Sequence, residues 1–452
     1  MFKIYFIKSF YIELVLIENS FYIETYGCAS NKADSLIISD LLIKSNYVQT
    51  SLHDAQFIII NTCAVKEQTE KKIKDRLKKM HELYQDENER HVVIAGCLPH
   101  VAEGYIELIR KIIPSFSAII DLDNINEIPE IIQAIKTGGR NQVFLSQNSI
   151  DKARFFINHS PGKITGITPI SEGCLGSCTY CCVKNARGRL NCYNPKYIVE
   201  NVHNQLKQGI KQVYLTSQDC STYHYNGVTL ADVVREIVIV DHEFFLRIGM
   251  LNPSFLIKGF DQLVSIFKLD KVYQFFHVPI QSASSEILKK MQRTYVIQDI
   301  INQLEILREK FPYLTISTDI ICGFPGETEY DFHRTINFIK WLKPEIINIS
   351  KFTPRPNTKA REMKQLDSKI IKERSIKLSR LFRNSLSTIN KKWEGWEGKV
   401  LVLHAGLEEN QGFGRNFAYK NIYINDIDGK FGEFINVKVV RIDGFNLFAK
   451  KI

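Results

Sequence analysis

An alternation of strand-like and helix-like segments runs through the first three quarters of the chain and constrains the fold more than any other feature. In the first third, short apolar runs rich in β-branched residues alternate with longer segments of helical periodicity. Such an alternation predicts an α/β domain, a doubly wound parallel sheet with helices on both faces, over residues 21–146. The predicted strands of this domain are residues 22–25, 57–61, 91–95, 118–120 and 143–145.

A second strand–helix alternation follows a polar segment, 147–163, which we interpret as a linker. Six strand–helix units in about 190 residues are typical of a partial parallel (β/α)6 barrel, which we predict over residues 160–390. Short alternating strands with Gly turns then predict a small C-terminal β-barrel over residues 391–452. The predicted strands of the parallel barrel are residues 166–171, 212–217, 244–249, 273–280, 315–322 and 346–352.

Composition narrows the class of protein. The 452 residues are 44% hydrophobic and 24% charged, which excludes a mostly disordered chain and a small disulfide scaffold. The net charge of +10 favours a polyanionic partner.

The sequence contains no charge-free apolar run long enough to span a membrane, and residues 1–20 carry charges and lack a signal-peptide cleavage site. We therefore expect a cytoplasmic protein without membrane partners, whose ten cysteines serve metal binding or catalysis rather than disulfides.

Three of these cysteines, Cys174, Cys178 and Cys181, form a CxxxCxxC motif at the end of the first predicted barrel strand. Three soft thiolates on one loop suit a cubane iron–sulfur cluster with one iron left open. The open iron can bind the amino and carboxylate groups of S-adenosylmethionine. The alternative is a structural zinc site with Cys182 or Cys192 as the fourth ligand.

Three further cysteines, Cys28, Cys63 and Cys97, each follow a predicted strand of the first domain. The carboxyl ends of parallel strands lie at one edge of a sheet, so these three thiols can converge on one point. A single buried cysteine is more often a core residue than a ligand. Their matching positions favour a second shared cluster.

The segment ISEGCLGSCTYCCVKNARGRL resembles the cluster loop of radical S-adenosylmethionine methylthiotransferases, and the resemblance extends from about residue 21 to residue 452. It implies that Cys174, Cys178 and Cys181 hold the radical-generating cluster. It also implies that Tyr180 lies against the adenine. Further segments that match are LTSQD, RIGMLNP, HVPIQSAS and TDIICGFPGETEYDF. They imply cofactor contacts by Ser217, Gln218, Asp219, Arg247, Gln281, Asp319, Gly323, Gly326 and Glu327.

In the same family, Cys28, Cys63 and Cys97 would hold an auxiliary cluster that carries or donates the inserted sulfur. The resemblance thus implies two [4Fe-4S] clusters and two uses of S-adenosylmethionine. One molecule methylates the sulfur, and another is cleaved reductively to a radical that abstracts hydrogen from an aromatic C–H. An electron donor and a sulfur donor of unknown identity are implied as partners.

The C-terminal segment resembles the TRAM module, an RNA-binding β-barrel of this family. Residues 405–424 mix cations with aromatics, which suits phosphate contact and base stacking, and the residues concerned are Arg415, Lys420, Phe413, Phe417 and Tyr419. The Lys-rich helix predicted directly after Cys63 is either a solvated face or a second RNA contact.

Three segments are most similar in sequence to the archaeal and eukaryotic branch of the family, which acts on tRNA: ETYGCASNKADS, NTCAVKEQTEKKI and GRNFAYK. This branch inserts a methylthio group at C2 of N6-threonylcarbamoyladenosine next to the anticodon. Arg355 and Arg187 are candidates for binding the threonyl carboxylate. The alternatives within the family are isopentenyl-adenosine in tRNA and a ribosomal-protein aspartate. Outside these, a radical enzyme acting on another protein side chain and a non-catalytic zinc protein that binds RNA stay open.

Overall fold

A computed structural model describes residues 16–146, 149–427 and 429–452. The expectation about the first 20 residues therefore falls mostly outside the described residues, as does part of the predicted linker. Within the described residues, no helix combines the length and apolarity needed to cross a membrane.

The N-terminal domain is a six-stranded parallel sheet with the strand order β2-β1-β3-β4-β5-β6. Its strands are β1 (Ile17–Thr25), β2 (Val48–Gln49), β3 (Ala55–Thr62), β4 (His91–Gly96), β5 (Ala118–Ile120) and β6 (Gln142–Phe144). Its helices are α1 (Ala29–Lys44), α2 (Glu67–Tyr84), α3 (Tyr105–Ile112) and α4 (Ile128–Lys136). The strand order reverses between β1 and β3, and the carboxyl ends at such a switch point form a crevice.

Helices cover both faces of this sheet. The apolar sides of α1 and α4 pack on one face with Phe57 and Val93, whereas α2 and α3 pack on the other with Ile58 and Ile94. Neighbouring residues of each central strand thus enter opposite cores, which explains the unbroken apolar runs 57–60 of β3 and 92–95 of β4. The predicted doubly wound sheet is confirmed.

The central domain holds six parallel strands: β7 (Thr165–Pro169), β10 (Gln212–Thr216), β13 (Phe245–Ile248), β14 (Phe275–His277), β15 (Thr315–Cys322) and β16 (Ile346–Lys351). They form two three-stranded sheets, β7-β10-β13 and β14-β15-β16. A parallel bridge between Leu246 and Val272 joins the two. Four short strands flank them: β8 (Ser171–Glu172), β9 (Asn191–Cys192), β11 (His224–Tyr225) and β12 (Val228–Thr229).

Helices enclose these strands from outside and complete the predicted partial (β/α)6 barrel. They are α5 (Val183–Arg187), α6 (Pro195–Lys207), α7 (Leu230–Val238), α8 (Pro253–Phe267), α9 (Ser285–Lys290), α10 (Ile297–Lys310), α11 (Glu329–Leu342), α12 (Lys359–Glu362) and α13 (Ser368–Asn390). Asn194, Thr229, Asn252, Ser284 and Thr328 begin five of them as side-chain N-caps.

The C-terminal domain is a closed five-stranded barrel, as predicted, with the order β17-β18-β19-β21-β20. Its strands are β17 (Glu397–Ala405), β18 (Gly412–Asn416), β19 (Asn421–Asn425), β20 (Phe434–Asp443) and β21 (Asn446–Lys451). The closed architecture is consistent with a TRAM-like domain.

The turn after β18 joins the C-terminal barrel to the interior of the central domain. The Tyr419 hydroxyl lies 2.7 Å from that of Tyr214 on β10, and the Gln274 amide donates to the Phe417 carbonyl at 2.8 Å. Lys420 is buried as well and donates to Asn390 at 2.6 Å. The expectation that Tyr419 and Lys420 contact RNA is therefore wrong, because their buried side chains serve this junction. Phe417 is only partly buried, and its RNA contact stays a prediction.

Candidate active site with two cysteine clusters

The three N-terminal cysteines lie at the carboxyl ends of three neighbouring strands. Cys28 follows β1 and precedes α1, Cys63 follows β3, and Cys97 follows β4. Because β1, β3 and β4 are adjacent in the sheet, the three thiols share one edge. The sequence-based expectation of a common edge thus matches the topology.

Local contacts hold these thiols together. The Asn31 Oδ1 atom lies 3.5 Å from the Cys28 Sγ and 4.0 Å from the Cys97 Sγ. Gly27 has φ +108°, and a Cβ there would stand 2.8 Å from the Cys63 Sγ. The absence of a side chain at Gly27 therefore leaves the space in which Cys63 sits.

The second cysteine group lies on the loop between β8 and α5. The Gly176 amide donates to the Cys174 Sγ at 3.2 Å. A Cβ on Gly176 would lie 3.3 Å from that sulfur and 3.8 Å from the Cys178 Sγ. The Cys181 amide donates to the Cys178 carbonyl at 3.1 Å, which closes the turn. The loop thus leaves a space at Gly176 that the sulfurs of Cys174 and Cys178 border.

Burial makes an unbound thiolate costly at both sites. Desolvation raises the pKa of Cys97 to about 12 and that of Cys181 to about 12, and it also raises the pKa of Cys63 and Cys174. Bound iron would supply the positive charge that these thiolates need.

The described residues contain no group of three or more His, Cys, Asp or Glu side chains placed to hold a single metal ion. Instead, each site offers three thiols, and glycines leave space beside some of them: Gly27 beside Cys63, and Gly176 beside Cys174 and Cys178. This donor set fits an iron–sulfur cluster with three protein thiolates and one open iron.

The two cysteine sites meet across the domain boundary. The Cys182 thiol, next to Cys181, donates to the carbonyl of Ala64, next to Cys63, at 3.2 Å. Around this contact, Cys97 and Ala186 share one apolar cluster. The loops of the two sites therefore touch directly.

Arg355 fixes the same junction. Its guanidinium donates to the Ala64 carbonyl at 2.6 Å and binds the Glu70 carboxylate, and the residue is 5% exposed. Arg187 is likewise bound to the buried carboxylates of Asp34 and Glu172. All three nitrogens of the Arg187 guanidinium are engaged, so the structure does not support its expected threonyl contact. The Arg355 Nε has no partner in the described residues, and the threonyl contact of Arg355 stays a prediction.

Of the residues expected around S-adenosylmethionine, four lie close to the cysteine loops. The Tyr180 ring packs edge-on against Phe324, with centroids 6.3 Å apart. Ser217 accepts from the Asp219 amide at 3.1 Å, and Gln218 donates to Ser30 at the start of α1 at 3.1 Å. The segment LTSQD thus bridges the barrel mouth and the N-terminal domain.

Asp219 presents a buried oxygen. Its Oδ1 accepts from the Ser221 amide at 3.0 Å and from the Asn252 amide at 3.2 Å, whereas Oδ2 has no partner in the described part of the chain. Desolvation raises the pKa of Asp219. A buried carboxylate oxygen near Cys174 is suited to a cationic ligand group.

Asp319 and Gln281 lie on adjacent segments of the barrel. Asp319 accepts from the His277 ring at 3.1 Å and from Asn348 at 2.6 Å. Burial would raise the pKa of Asp319, but these hydrogen bonds lower it, so the group is ionised. The Gln281 backbone, at φ +67°, pairs with β15. The Gln281 amide donates to the Asp319 carbonyl at 2.7 Å, so the two residues are direct neighbours.

The glycine-rich turn after β15 is stabilised by hydrogen bonds to the Glu327 side chain. Gly323 and Gly326 have φ +78° and +79°, and the Gly323 amide donates to Glu327 at 2.8 Å. Glu327 also accepts from Arg374 on α13 at 2.7 Å. Its carboxylate is thus occupied in supporting the turn.

Arg247 points toward the C-terminal barrel. Its guanidinium lies over the rings of Tyr214, Phe275 and Tyr419, 4.7 to 5.1 Å from their centroids. The structure therefore gives Arg247 a role at the junction described above. Its expected cofactor contact stays a prediction that this geometry does not favour.

Sequence reasoning missed several residues that shape the site. Arg293 donates to the Tyr180 hydroxyl at 3.0 Å and to Asn252 at 2.8 Å. Lys152 and Asn31 contact the junction from segments far away in sequence. No local motif marks Lys152, because its partner Asp34 lies 118 positions away. Asn31 lies three residues after Cys28, but its contacts with the end of β3 span 30 or more positions.

Two family comparisons match separate parts of the chain. The uncharacterized protein family UPF0004 matches residues 20–120, which contain the three N-terminal cysteines. The Radical SAM superfamily matches residues 168–339, which contain the cysteine loop and most of the barrel.

Solved structures show the same fold at low sequence identity. The chain superimposes with a TM-score of 0.55 on the radical S-adenosylmethionine methyltransferase TsrM from Kitasatospora setae, at 13% identity. That match covers 76% of this chain and 74% of TsrM.

Relatives of much higher identity match nearly the whole chain. A probable threonylcarbamoyladenosine tRNA methylthiotransferase from Pyrococcus horikoshii is 37% identical over 92% of this chain and 96% of its own length. The threonylcarbamoyladenosine tRNA methylthiotransferase from Homo sapiens is 30% identical over 92% of this chain and 71% of its own length. With two three-cysteine sites in contact and this degree of similarity, the chain belongs to the threonylcarbamoyladenosine tRNA methylthiotransferase family of radical S-adenosylmethionine enzymes.

Proposed function

We propose that this protein is a tRNA methylthiotransferase that inserts a methylthio group at C2 of N6-threonylcarbamoyladenosine. The observation that carries the proposal is the contact between the two cysteine sites, where the Cys182 thiol donates to the Ala64 carbonyl. A sulfur held at one site and a radical generated at the other can then act on one substrate atom. The names of the relatives support this substrate over isopentenyl-adenosine and a ribosomal-protein aspartate.

When bound, two [4Fe-4S] clusters and S-adenosylmethionine supply the electron-transfer and radical chemistry. Cys174, Cys178 and Cys181 would hold one cluster. Cys28, Cys63 and Cys97 would hold the other. We assign the same three-part division of the chain as the sequence predicts, at residues 21–146, 160–390 and 391–452.

The chain's own residues bind and orient the methionine moiety and the adenine. The unpartnered Oδ2 of Asp219 would accept a hydrogen bond from the cationic amino group. Arg293 fixes the Tyr180 hydroxyl, so that the aromatic ring is held in place against the adenine. Gly323 and Gly326 adopt positive φ, which glycine tolerates, and so shape the turn that would lie under the adenosine.

We assign tRNA contact to a row of side chains on the outer face of the C-terminal barrel. His404, Phe413, Tyr423, Phe448 and Arg441 face one another across all five strands. The ring pairs stack or meet edge-on at 4.7 to 5.4 Å, and the Arg441 guanidinium lies 3.7 Å from the Phe448 centroid.

An aromatic row that ends in a cation is suited to unpaired bases and the phosphates beside them. Tyr423→Ala is expected to weaken tRNA binding by about 1–3 kcal/mol, the value of one base stack, in a filter-binding assay. The control is Tyr330→Ala, since Tyr330 is 71% exposed on α11, away from this barrel. Equal binding by the two variants would remove the row as a contact surface.

An electron donor and a sulfur donor are further proposed partners, because the net reaction consumes both. A cytoplasmic location follows from the tRNA substrate and from ten unpaired cysteines, which a reducing compartment preserves.

The test of the reaction is an anaerobic turnover assay. Reconstituted protein, S-adenosylmethionine, a reductant and sulfide are incubated with threonylcarbamoylated tRNA. Digested nucleosides are then analysed by mass spectrometry. The expected result is a mass gain of one methylthio group on threonylcarbamoyladenosine.

Three variants separate the two cysteine sites. Cys178→Ala is expected to abolish cleavage of S-adenosylmethionine, whereas Cys97→Ala is expected to retain cleavage and lose methylthio transfer. Cys192→Ala is the matched control, because this thiol belongs to neither site. Unmodified nucleoside with wild-type protein, together with modification of isopentenyl-adenosine or ribosomal protein, would contradict the proposed substrate.

A further inference from the structure

Four charged side chains are buried together where the N-terminal domain meets the cysteine loop of the barrel. Asp34 lies on α1, Glu172 precedes the loop, Lys152 lies in the connecting segment, and Arg187 ends α5. Their side chains are 2 to 10% exposed. We call these residues the buried quartet.

The quartet balances its own charges. Lys152 lies 2.9 Å from Asp34 and 2.7 Å from Glu172. Arg187 binds the same two carboxylates, at 2.8 Å for Asp34. Burial alone would raise the pKa of Asp34, but the two cations hold it below its usual value. Each of the two carboxylates therefore contacts both cations in the interior.

One nitrogen of Arg187 points out of the quartet. Its Nε donates to the Cys97 Sγ at 3.2 Å, while its Nη2 also donates to Asn31 at 3.1 Å. Asn31 itself contacts the sulfurs of Cys28 and Cys97. Lys152, the other cation, has no sulfur contact in the described part of the chain.

We infer that Arg187 is a positioning residue for the auxiliary cluster. Its Nε–H holds the Cys97 thiolate, and its positive charge raises the reduction potential of that cluster. The inference deepens the proposed function and rests on its auxiliary cluster. The two carboxylates fix the planar guanidinium, so its third donor is aimed at the sulfur before any cluster binds.

The direction of the effect follows from charge. Reduction adds one negative charge to the cluster, and a cationic N–H donor to a coordinating sulfur stabilises that charge. Removing the donor therefore makes reduction harder. Arg187 also lies only six residues beyond Cys181, so the loop of the radical cluster supplies the donor for the auxiliary cluster.

The test uses the full chain with Cys174, Cys178 and Cys181 replaced by Ala, so that only the auxiliary cluster assembles. After anaerobic reconstitution, iron and sulfide are counted. The midpoint potential is then measured by dithionite titration followed by electron paramagnetic resonance. Arg187→Gln is compared with Lys152→Gln. Both variants remove one cation from the quartet, but only the first removes the sulfur donor.

Arg187→Gln is expected to lower the equilibrium constant for one-electron reduction about tenfold, a shift of about 59 mV. Lys152→Gln is expected to shift it much less. The double variant Asp34→Asn with Arg187→Gln keeps the quartet neutral and is expected to show the same shift as Arg187→Gln. Loss of the cluster in both Arg187 variants, with retention in Lys152→Gln, would equally support the positioning role.

Equal potentials in the Arg187 and Lys152 variants, or equal loss of iron, would overturn the inference. A parent protein that assembles no cluster would instead contradict the auxiliary site of the proposed function. The two failures are thus distinguishable from the iron content of the parent alone.

Discussion

Replacing Arg374 by Met removes the cation that faces the buried carboxylate of Glu327. The Arg374 Nη1 donates to the Glu327 side chain at 2.7 Å and to its backbone carbonyl at 3.0 Å. The two side chains are 7% and 1% exposed. The same carboxylate accepts from the Gly323 amide and so supports the glycine-rich turn.

Loss of one partner of a buried ion pair costs about 3–5 kcal/mol, because the remaining charge is left without compensation. Burial already raises the pKa of Glu327 above its usual value, and R374M raises it further. The folded state then binds more protons than the unfolded state between the two pKa values. The stability of R374M should therefore fall as pH rises, by up to about 1.4 kcal/mol per pH unit in that window.

The assay is anaerobic urea unfolding followed by tryptophan fluorescence, since Trp341 lies on α11, the helix that follows this turn. The matched variants are E327Q and the double variant R374M/E327Q, which has no buried charge left to compensate. We expect the double variant to recover much of the loss and to lose the pH slope. A double variant as unstable and as pH-dependent as R374M would refute the argument that Glu327 is the buried charge at fault.

Three further predictions test other contacts. G27A should lose iron from the auxiliary site, because a Cβ there would meet the neighbouring thiol at 2.8 Å; G104A, at φ +79° with open space, carries the backbone strain without the clash and should keep its iron. Burial lowers the pKa of His91 to about 4, so the apoprotein should lose stability as pH falls from about 6.5 through 4. H91Q should flatten that slope in acid unfolding, whereas H53Q, at an exposed position, should keep it. R247A removes the ring packing of Arg247, so limited proteolysis should cut the C-terminal barrel faster, while the dissociation constant for S-adenosylmethionine stays unchanged. Weaker binding of S-adenosylmethionine without faster proteolysis would contradict this placement of Arg247.

The fold class could be predicted from the sequence because periodicity encodes which faces are buried. The apolar runs of β3 and β4 indicated strands covered on both faces, and the structure confirms them. The two-residue strand β2 was not predicted, since its exposed Val48 and Gln49 carry no pattern. The short hairpin strands near the cysteine loop escaped prediction for the same reason.

The cysteine sites could be proposed from the sequence for two different reasons. Cys174, Cys178 and Cys181 lie within eight residues, so their proximity is a local property of the chain. Cys28 and Cys63 are far apart in sequence, but parallel topology brings strand ends to one edge.

The partners of charged and aromatic side chains could not be predicted from the sequence, and several roles expected for such residues were wrong. Tyr419 and Lys420 look like an RNA-binding pair in sequence, yet both are buried at the junction. Glu327 was expected at the cofactor, yet it is bound by Arg374 from a helix 47 residues away. A motif gives the residue type, but it does not tell which distant segment packs against it.

The sequence by itself determined the fold class through its periodicity and the first three-cysteine site through local spacing, whereas motif resemblance and the shared position at strand ends indicated the family and the second site. Only the tertiary structure decided that Arg187 meets Cys97 and that Lys152 meets Asp34, which are contacts across 90 and 118 positions. The physical reason is that a buried charge must be compensated by whatever group the packing of distant segments brings within about 3 Å, and no local pattern records that group.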